Sequence, residues 1–255
     1  MKTKNMNNSK NSFSVMSFNL RFGLADDGEN SWVNRQHAFP DLFKKIMPDF
    51  IGVQEANNFQ SSFVDTLLPF HSFTGMYQNA PEFWQDNLIF YLNKWECLHS
   101  KRYFLSETPK IESKLPESKW PRQCIIGLFE NNQNRFIHVN THFDFAEAVQ
   151  QRSAELVLSF LSDFPKNTPV VITGDFNAPP KSAAHNTFLE KGFHDVFEGN
   201  HSCTYHGFTG KQSGEHIDWI LYKGDITPGS SEIISEQFAD IYPSDHFPVV
   251  ASFAF

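Results

Sequence analysis

Residues 169–180 read PVVITGDFNAPP and join a short apolar run to a cluster of polar side chains. A run of this length, rich in β-branched residues and bounded by Pro and Gly, predicts a buried strand over 169–173. Asp175 and Asn177 follow where that strand ends. Functional side chains often lie at such strand ends, so the segment predicts a polar cleft at one rim of a sheet.

The same junction of apolar run and polar side chain recurs along the chain. The other junctions are Asn19 after 14–18, Glu55 after 50–54, His142 and Asp144 after 136–141, Asp218 within 216–221, and Asp245 and His246 before 247–253. A single Asp or Asn at a strand end usually only caps a turn. Six junctions of oxygen or imidazole donors together predict one shared site.

Between these junctions the hydrophobic pattern predicts alternating helices and strands. Predicted helices cover 32–47, with Pro40 bending or shortening it, and 59–68, 146–164 and 182–191. Predicted strands cover 14–20, 50–53, 71–76, 87–92, 97–104, 123–129, 135–142, 169–173, 216–222 and 247–255, and 106–122 is predicted to be a long loop. Helices embedded among many strands favour an α+β fold with layered α/β/β/α packing.

Composition limits the class of protein. The chain has 255 residues, 40% of them hydrophobic, and a net charge of −8. This acidic balance argues against a broad, non-specific grip on polyanions, which needs clustered Lys and Arg. Cys97, Cys124 and Cys203 stand at no metal-ligand spacing and predict idle thiols in a reducing compartment.

The polar N-terminus lacks the apolar run of a signal peptide, and no stretch of the sequence reaches the length of a membrane span. We predict a disordered tail over residues 1–12 and a single domain over 13–255. We also expect a cytoplasmic protein with no obligate protein partner.

Six motifs in order resemble the endonuclease/exonuclease/phosphatase superfamily. They are FNLR at 18–21, VQE at 53–55, NTHFD at 140–144, GDFN at 174–177, IDWI at 217–220 and SDHFPV at 244–249. The resemblance covers nearly the whole chain beyond the N-terminal tail. It implies a four-layer α/β/β/α sandwich of two mixed β-sheets flanked by helices. It also implies metal-dependent hydrolysis of phosphate esters by in-line attack of water.

The resemblance implies a metal site at Glu55, with Asn19 close by and Asp245 completing the set. Glu55 is also the best ligand on residue chemistry, since it is the carboxylate that ends a buried-looking run. Mg²⁺ prefers one or two carboxylates together with water and substrate oxygens, and offsets the charge that makes a phosphodiester a poor electrophile. We therefore predict Mg²⁺ as the cofactor, with Mn²⁺ as the other candidate.

The catalytic set implied by the resemblance contains His246, Asp218, Asp175, Asn177 and His142. Asp218 would orient the imidazole of His246 by contacting the second nitrogen of that ring. Asp175 would bind and activate the attacking water. Asn177 would donate to transition-state oxygens, and His142 would contact a phosphate oxygen or assist the leaving group. The resemblance does not assign the role of general base to one particular residue of this set.

Four further residues are predicted to bind substrate. Arg122, at the end of the long loop, offers a guanidinium for phosphate. Tyr205 and His206 would lie near the cleft and shape substrate choice. Asp144 fits either the site or a structural turn.

Positions at which the sequence departs from the family motifs disfavour two branches of the superfamily. Trp219 follows Asp218 where inositol 5-phosphatases have Arg, and His216 precedes Ile217 where exonuclease III-like enzymes usually have Arg. GDFNAPP and PSDHFPV look closer to deadenylase-like and general bacterial phosphodiesterase members. We predict a phosphodiesterase, nuclease or phosphatase whose substrate is a small molecule or single-stranded nucleic acid.

Three other classes of protein compete with this prediction. A calcineurin-type metallophosphoesterase is rejected, because Ala178 stands where the second Asp of GDxxD belongs and no GNH[DE] motif exists. A sphingomyelinase-like lipid phosphodiesterase and a catalytically inactive binding module on the same fold stay open. The inactive module is less favoured than an active enzyme, since a relic is expected to lose one or more of the motif residues and none is missing.

Overall fold

The computed structural model describes residues 11–78 and 80–255. The strands are β1 Ser12–Asn19, β2 Phe50–Ala56, β3 His71–Thr74, β4 Asp86–Leu92, β5 Glu96–Phe104, β6 Gln123–Asn131, β7 Asn134–His142, β8 Val170–Asp175, β9 His194–Asp195, β10 Asp218–Lys223, β11 Thr227–Ile233 and β12 Val249–Ala254. The α-helices are α1 Trp32–Arg35, α2 Phe39–Lys45, α3 Asn58–Leu67, α4 Glu147–Phe160 and α5 Ala183–Leu189. Short 3₁₀ turns cover Gly28–Asn30, Gln36–Ala38 and Leu161–Asp163.

The strands form two mixed six-stranded sheets. The first has the order β11-β12-β1-β2-β4-β3 and the second the order β5-β6-β7-β8-β10-β9. Each sheet contains one parallel pair at its centre, β1 with β2 and β7 with β8, among antiparallel neighbours. The predicted sandwich of two mixed sheets with helices on the outer faces is confirmed.

Alternation of side chains along the strands explains the layers. In β1, Phe13 and Val15 belong to the core between the sheets, whereas Met16 and Phe18 pack with residues of α2 and α3. The outer face of the second sheet is covered by α4 and α5, for example through Val157. Three apolar cores therefore separate four layers.

A buried polar patch joins the two sheets near the strand ends that carry the motifs. A Cβ atom at Gly52 would lie 2.4 Å from Thr173 Oγ1 and 2.7 Å from Asn140 Oδ1, so only glycine fits there without a shift. Asn140 Nδ2 donates across the interface to the carbonyls of Val53 at 2.8 Å and Leu88 at 2.9 Å. Satisfied buried polar contacts of this kind specify one arrangement of the sheets.

The predicted elements are present with altered ends. The helix predicted over 32–47 is broken into α1, a 3₁₀ turn and α2, and Pro40 lies in the first turn of α2, where a missing N–H is tolerated. The strand predicted over 216–222 begins only at Asp218, and β9 and β11 were not predicted. Of the predicted disordered tail, residues 1–10 lie outside the described residues, while β1 begins at Ser12.

The division into a tail and one domain stays a prediction. Across the helices of the described ranges, 11–78 and 80–255, none has the length and apolar character needed to cross a membrane.

Candidate active site

Three neighbouring strands of the second sheet bring three motif residues side by side. His142 ends β7 and pairs with Asp175, which ends the parallel β8, and Asp218 begins β10 opposite Asp175. Cross-strand neighbours have Cβ atoms about 5 Å apart, so the register of the sheet alone brings these side chains together. All three are buried.

Asn19, at the end of β1, connects the two sheets at this edge. Its Nδ2 donates to Asp175 Oδ2 at 2.8 Å and to Glu55 Oε1 at 3.1 Å. Its Oδ1 accepts from the backbone N–H of Arg21 at 2.8 Å. The amide nitrogen therefore faces the two carboxylates, and the oxygen that a cation would need points to the backbone.

The backbone of Glu55 turns its carboxylate to the same edge. Glu55 has a φ of 59°, and the pairing of β2 with β4 shifts register between Val53 and Ala56. Its Oε2 accepts from the backbone N–H of Phe22 at 2.6 Å. A positive φ in a non-glycine residue costs of order 1 kcal/mol and persists only where surrounding contacts hold the backbone in place. Such residues are often found at functional sites.

His246 and Asp218 form a buried pair. His246 Nδ1 lies 2.9 Å from Asp218 Oδ2, and its Nε2 lies 3.8 Å from Asp175 Oδ2. Burial lowers the pKa of the His246 ring, but the charges of Asp218 and Asp175 outweigh burial and hold the pKa well above its ordinary value. The ring is therefore an imidazolium at neutral pH, with Nε2–H directed toward Asp175.

His142 has the opposite charge state. Arg122 Nη1 lies 3.0 Å from Nδ1 and 3.1 Å from Nε2 of this ring, and Asn177 Nδ2 lies 3.1 Å from Nε2. Burial, together with the positive charges of Arg122 and His246, holds the pKa of His142 well below its ordinary value. One histidine of the site is neutral and the other is charged.

Asp175 is the centre of the cluster. Burial raises its pKa to about 7, and the charge of His246 opposes that rise. Its Oδ1 accepts from the backbone N–H of Asn177 at 2.9 Å, while Oδ2 faces Asn19, His142 and His246. Asp175 is thus a buried carboxyl group whose pKa is raised toward neutral pH.

Among the residues that the structure describes, two groups of three place ligand atoms close enough for a cation, within 4.8 Å of one another. One contains Glu55, His142 and Asp175, and the other contains Asp175, Asp218 and His246. The first group fits a hard divalent cation better, since Glu55 and Asp175 supply carboxylate oxygens and His142 is neutral. In the second group, the Asp218 carboxylate is already paired with the charged ring of His246 and is less free to bind a cation.

Asp245 lies outside both groups. Its Oδ2 is 3.7 Å from Arg21 Nε, and its Oδ1 accepts from Ser244 Oγ at 3.2 Å. Arg21 is held in turn by two hydrogen bonds to Asp27, at 2.9 and 2.7 Å. The Asp245 carboxylate therefore faces the guanidinium of Arg21 and is not part of either group of candidate cation ligands.

Asp144 is engaged with the loop before β6. Its Oδ2 accepts from Ser118 Oγ at 2.9 Å and from the N–H groups of Lys119 and Trp120 at 3.0 and 3.2 Å. Burial raises the pKa of Asp144, but hydrogen bonds from the N–H of Phe145, the hydroxyl of Ser118 and the N–H of Trp120, together with the charge of Arg122, bring it below its ordinary value. The geometry indicates that Asp144 holds the loop in place.

Tyr205 and His206 lie in the segment between β9 and β10 and differ in exposure. Tyr205 forms an isolated β-bridge with His246, and its ring, at 45% exposure, lies 5.0 Å from the imidazole between centroids. His206 is buried and stacks on Phe247 with centroids 3.9 Å apart. Tyr205 is open to a ligand and His206 is a packing residue.

Arg35 has a structural part in the site that the sequence reasoning missed. It is fully buried in α1, and its guanidinium donates to the carbonyls of Leu20, Arg21 and Pro243 at 2.6 to 2.8 Å. These contacts tie the segment after β1 to the segment before His246. The signal was available, because Arg35 follows Trp32 by three residues on the apolar helical face.

Asn57 was also missed. Its Oδ1 accepts from the N–H of Gly23 at 2.9 Å, and its Nδ2 donates to the carbonyls of Glu82 and Trp84 at 3.0 and 2.8 Å. It also caps α3, where it forms a capping box with Gln60. An Asn two residues after Glu55 and directly before a helix was the available signal.

A two-sheet sandwich with carboxylates, imidazoles and amides gathered at one edge is the architecture of divalent-metal-dependent phosphoester hydrolases. The chain matches the model of the Endonuclease/Exonuclease/phosphatase family over residues 16–246 and belongs to that family. Members of this family hydrolyse phosphate esters. No curated protein matches the chain.

Solved structures share the fold over almost their full length. A mannosyl-6-phosphatase from Bacteroides thetaiotaomicron has a TM-score of 0.88 and 25% identity, covering 95% of this chain and 100% of its own. An endonuclease/exonuclease/phosphatase family protein from the same organism has a TM-score of 0.87 and 24% identity, covering 96% and 98%. D. rerio TDP2, complexed with single strand DNA product, has a TM-score of 0.77 and 18% identity, covering 96% and 99%.

Proposed function

We propose that the chain is a Mg²⁺-dependent hydrolase of phosphate esters, with Mn²⁺ as the second candidate ion. The observation that carries the proposal is the position of Asp175, which belongs to both groups of cation-capable side chains and faces both histidines. When bound, the divalent cation offsets the negative charge of the phosphate. Glu55 and Asp175 would hold it, and Asn19 would position these two carboxylates through its Nδ2.

The charge states of the side chains assign their roles in the proposal. The charges of Asp218 and Asp175 raise the pKa of His246 and favour its protonated form, so its Nε2–H would hold a phosphate oxygen. Asp175, whose Oδ2 faces both histidines, would bind and orient the attacking water. Asn177 and Arg122 donate from Nδ2 and Nη1 to the phosphate oxygens on the other side.

Similarity to a solved phosphatase structure and the net charge of the chain both bear on the class of substrate. The mannosyl-6-phosphatase is 25% identical over 95% of this chain, which supports phosphatase activity. Single-stranded nucleic acid is the second candidate, and the net charge of −8 speaks against an extended electrostatic grip on it. The cytoplasmic location expected from the sequence stays a prediction.

The proposal is tested with the purified full-length chain on p-nitrophenyl phosphate, bis-p-nitrophenyl phosphate, a sugar phosphate, a single-stranded DNA oligonucleotide and sphingomyelin. Each is assayed with Mg²⁺, with Mn²⁺ and with EDTA. We expect hydrolysis of at least one ester that EDTA abolishes and Mg²⁺ restores. A chain that hydrolyses none of them under any condition would support the inactive binding module, and sphingomyelin as the preferred substrate would support the lipid phosphodiesterase.

A further inference from the structure

A cleft of about 480 Å³ opens beside Arg122 and His142. Its walls contain the aromatic side chains of Phe22, Phe83, Trp84 and Trp120. Phe83 and Trp120 are 64% and 54% exposed. Large aromatic side chains left open to solvent beside a polar site mark a binding surface, because they gain most when a ligand covers them.

The polar groups in this cleft present acceptors to a ligand. Gln123 Oε1 is buried and has no hydrogen-bond partner among the described residues, while its Nε2 donates to the carbonyl of Gln85 at 3.0 Å. Asn87 Nδ2 is occupied by the carbonyl of Gln123 at 2.7 Å. Glu112 adds an exposed carboxylate to the same lining. A ligand that brings hydroxyl donors would satisfy the unpaired acceptor.

Trp84 and the backbone at Trp120 are held in place before a ligand arrives. Trp84 Nε1 donates to Asp86 Oδ1 at 3.0 Å, and its backbone carbonyl is held by Asn57 Nδ2 at 2.8 Å. On the other wall, Asp144 accepts from the N–H of Trp120 at 3.2 Å. A pocket organised in this way spends little binding energy on ordering its side chains.

Building on the proposed phosphoesterase activity, we propose that this cleft binds the alcohol part of the substrate and that this part is a neutral, polyhydroxylated ring. The substrate is then a phosphorylated sugar. Hydroxyl groups rotate to donate to Gln123 Oε1 and Glu112, while the C–H faces of the ring pack on Phe83 and Trp120.

Position and charge both favour a sugar ring over a nucleobase. The cleft borders His142 directly, so the ring it holds lies close to the phosphorus, as a sugar ring does two bonds away in a 1-phosphate and three bonds away in a hexose 6-phosphate. A sugar occupies that position in a phosphate ester, and a nucleobase lies beyond the sugar. The carboxylate of Glu112 would repel a second phosphate group on the ring.

Kinetics with Phe83→Ala and Trp120→Ala test the proposal, with Phe70→Ala as the matched control because Phe70 is a 73% exposed aromatic that does not line the cleft. Mannose 6-phosphate is compared with glycerol 3-phosphate, which has no ring, and with a nucleoside 5′-monophosphate. We expect each cleft variant to lower kcat/KM for mannose 6-phosphate about tenfold or more, the size of effect that pocket contacts have on discrimination. Glycerol 3-phosphate should change less than about twofold, and the control should change neither.

A binding measurement separates this proposal from the catalytic one. Trp84 and Trp120 line the cleft, so their fluorescence in EDTA should be quenched saturably by mannose 6-phosphate, and more weakly in Gln123→Leu. If no ester is hydrolysed at all, saturable quenching still supports the sugar site while the catalytic proposal fails. Hydrolysis of esters with equal kcat/KM in wild type, Phe83→Ala and Trp120→Ala overturns the sugar site alone, as does tighter binding of the nucleotide.

Discussion

Nδ1 of His246 lies 2.9 Å from Oδ2 of Asp218, although the two residues are 28 positions apart in the sequence. Both side chains are buried, and the second carboxylate oxygen of Asp218 has no other partner within the described ranges. The pair therefore fixes the ring with Nε2 toward Asp175. A histidine oriented and charged in this way is suited to hold a phosphate oxygen.

Replacing Asp218→Asn should keep the shape of this contact and remove its charge. The ring of His246 then loses the partner that keeps it protonated, so we expect kcat to fall by about 10²-fold or more. The affinity for Mg²⁺ should stay nearly unchanged, because Asp218 is not in the group that contains Glu55. Turnover within a factor of about two of wild type would contradict the assignment.

A matched control is available in Asp195. This buried carboxylate also contacts two histidines, His185 at 3.1 Å and His201 at 3.0 Å, but it is not among the cation-capable groups. Asp195→Asn should leave kcat per folded molecule within about twofold of wild type. Thermal unfolding of both variants separates a loss of chemistry from a loss of folded protein.

Much of the site was predictable because its residues stand where strands end. The order of the strands in the second sheet then places His142, Asp175 and Asp218 in adjacent positions. Local patterning reveals strand ends, and only the resemblance revealed which ends meet.

Other features depend on tertiary contacts that no local pattern encodes. β11 has the sequence TPGSSEI and shifts register between Pro228 and Ser231, so it lacks the alternation that predicts a strand. Asp144 could not be assigned from the sequence, since its partners lie in a loop 24 to 26 residues away. Likewise, the orientation of the Asn19 amide follows from the N–H of Arg21 and not from the motif.

The metal prediction rests on Glu55. Glu55→Gln removes one negative charge and keeps the side-chain shape. Phe22 N–H can still donate to the remaining carbonyl oxygen, while the contact with Asn19 Nδ2 is lost. We expect Mg²⁺ affinity measured by calorimetry to fall about tenfold or more, because a hard cation prefers carboxylate oxygen. The melting temperature of the metal-free protein should stay near that of wild type, and unchanged Mg²⁺ affinity would show that Glu55 is not a ligand.

The contact between the sheets at Gly52 makes a prediction about stability. A methyl group there would meet Thr173 Oγ1 at 2.4 Å, so Gly52→Ala should lower the free energy of unfolding by about 1–3 kcal/mol. Adding Thr173→Ala removes that oxygen. Chemical denaturation of the double variant should show a smaller loss than the sum of the two single losses, and strict additivity would mean that the contact is not made.

The two histidines should affect stability at opposite ends of the pH range in EDTA. The folded-state pKa of His246 is raised, so its contribution is fully present below about pH 6.5 and is lost as the pH rises through the folded-state pKa. The folded-state pKa of His142 is lowered, so its contribution is present above about pH 6.5 and is lost as the pH falls. His246→Gln should therefore flatten the alkaline side of the stability profile and His142→Asn the acidic side. Parallel profiles for the three proteins would contradict both charge states.

Binding of Mg²⁺ should release a proton from Asp175. Burial raises the pKa of this carboxyl group to about 7 in the metal-free protein, and a cation requires the ionised form. Because the pKa is raised, a larger fraction of the group is protonated at pH 6 than at pH 8.5, so we expect more protons to be released per ion bound at pH 6. Calorimetry in two buffers of different ionisation enthalpy measures this number directly, with pH 8.5 as the internal control. Because the affinity must fall along with the ionised fraction, Mg²⁺ binding should weaken steadily below pH 7. A binding enthalpy at pH 6 that is the same in both buffers would mean that Asp175 is already ionised before the cation arrives, which would contradict the raised pKa of this group in the metal-free protein.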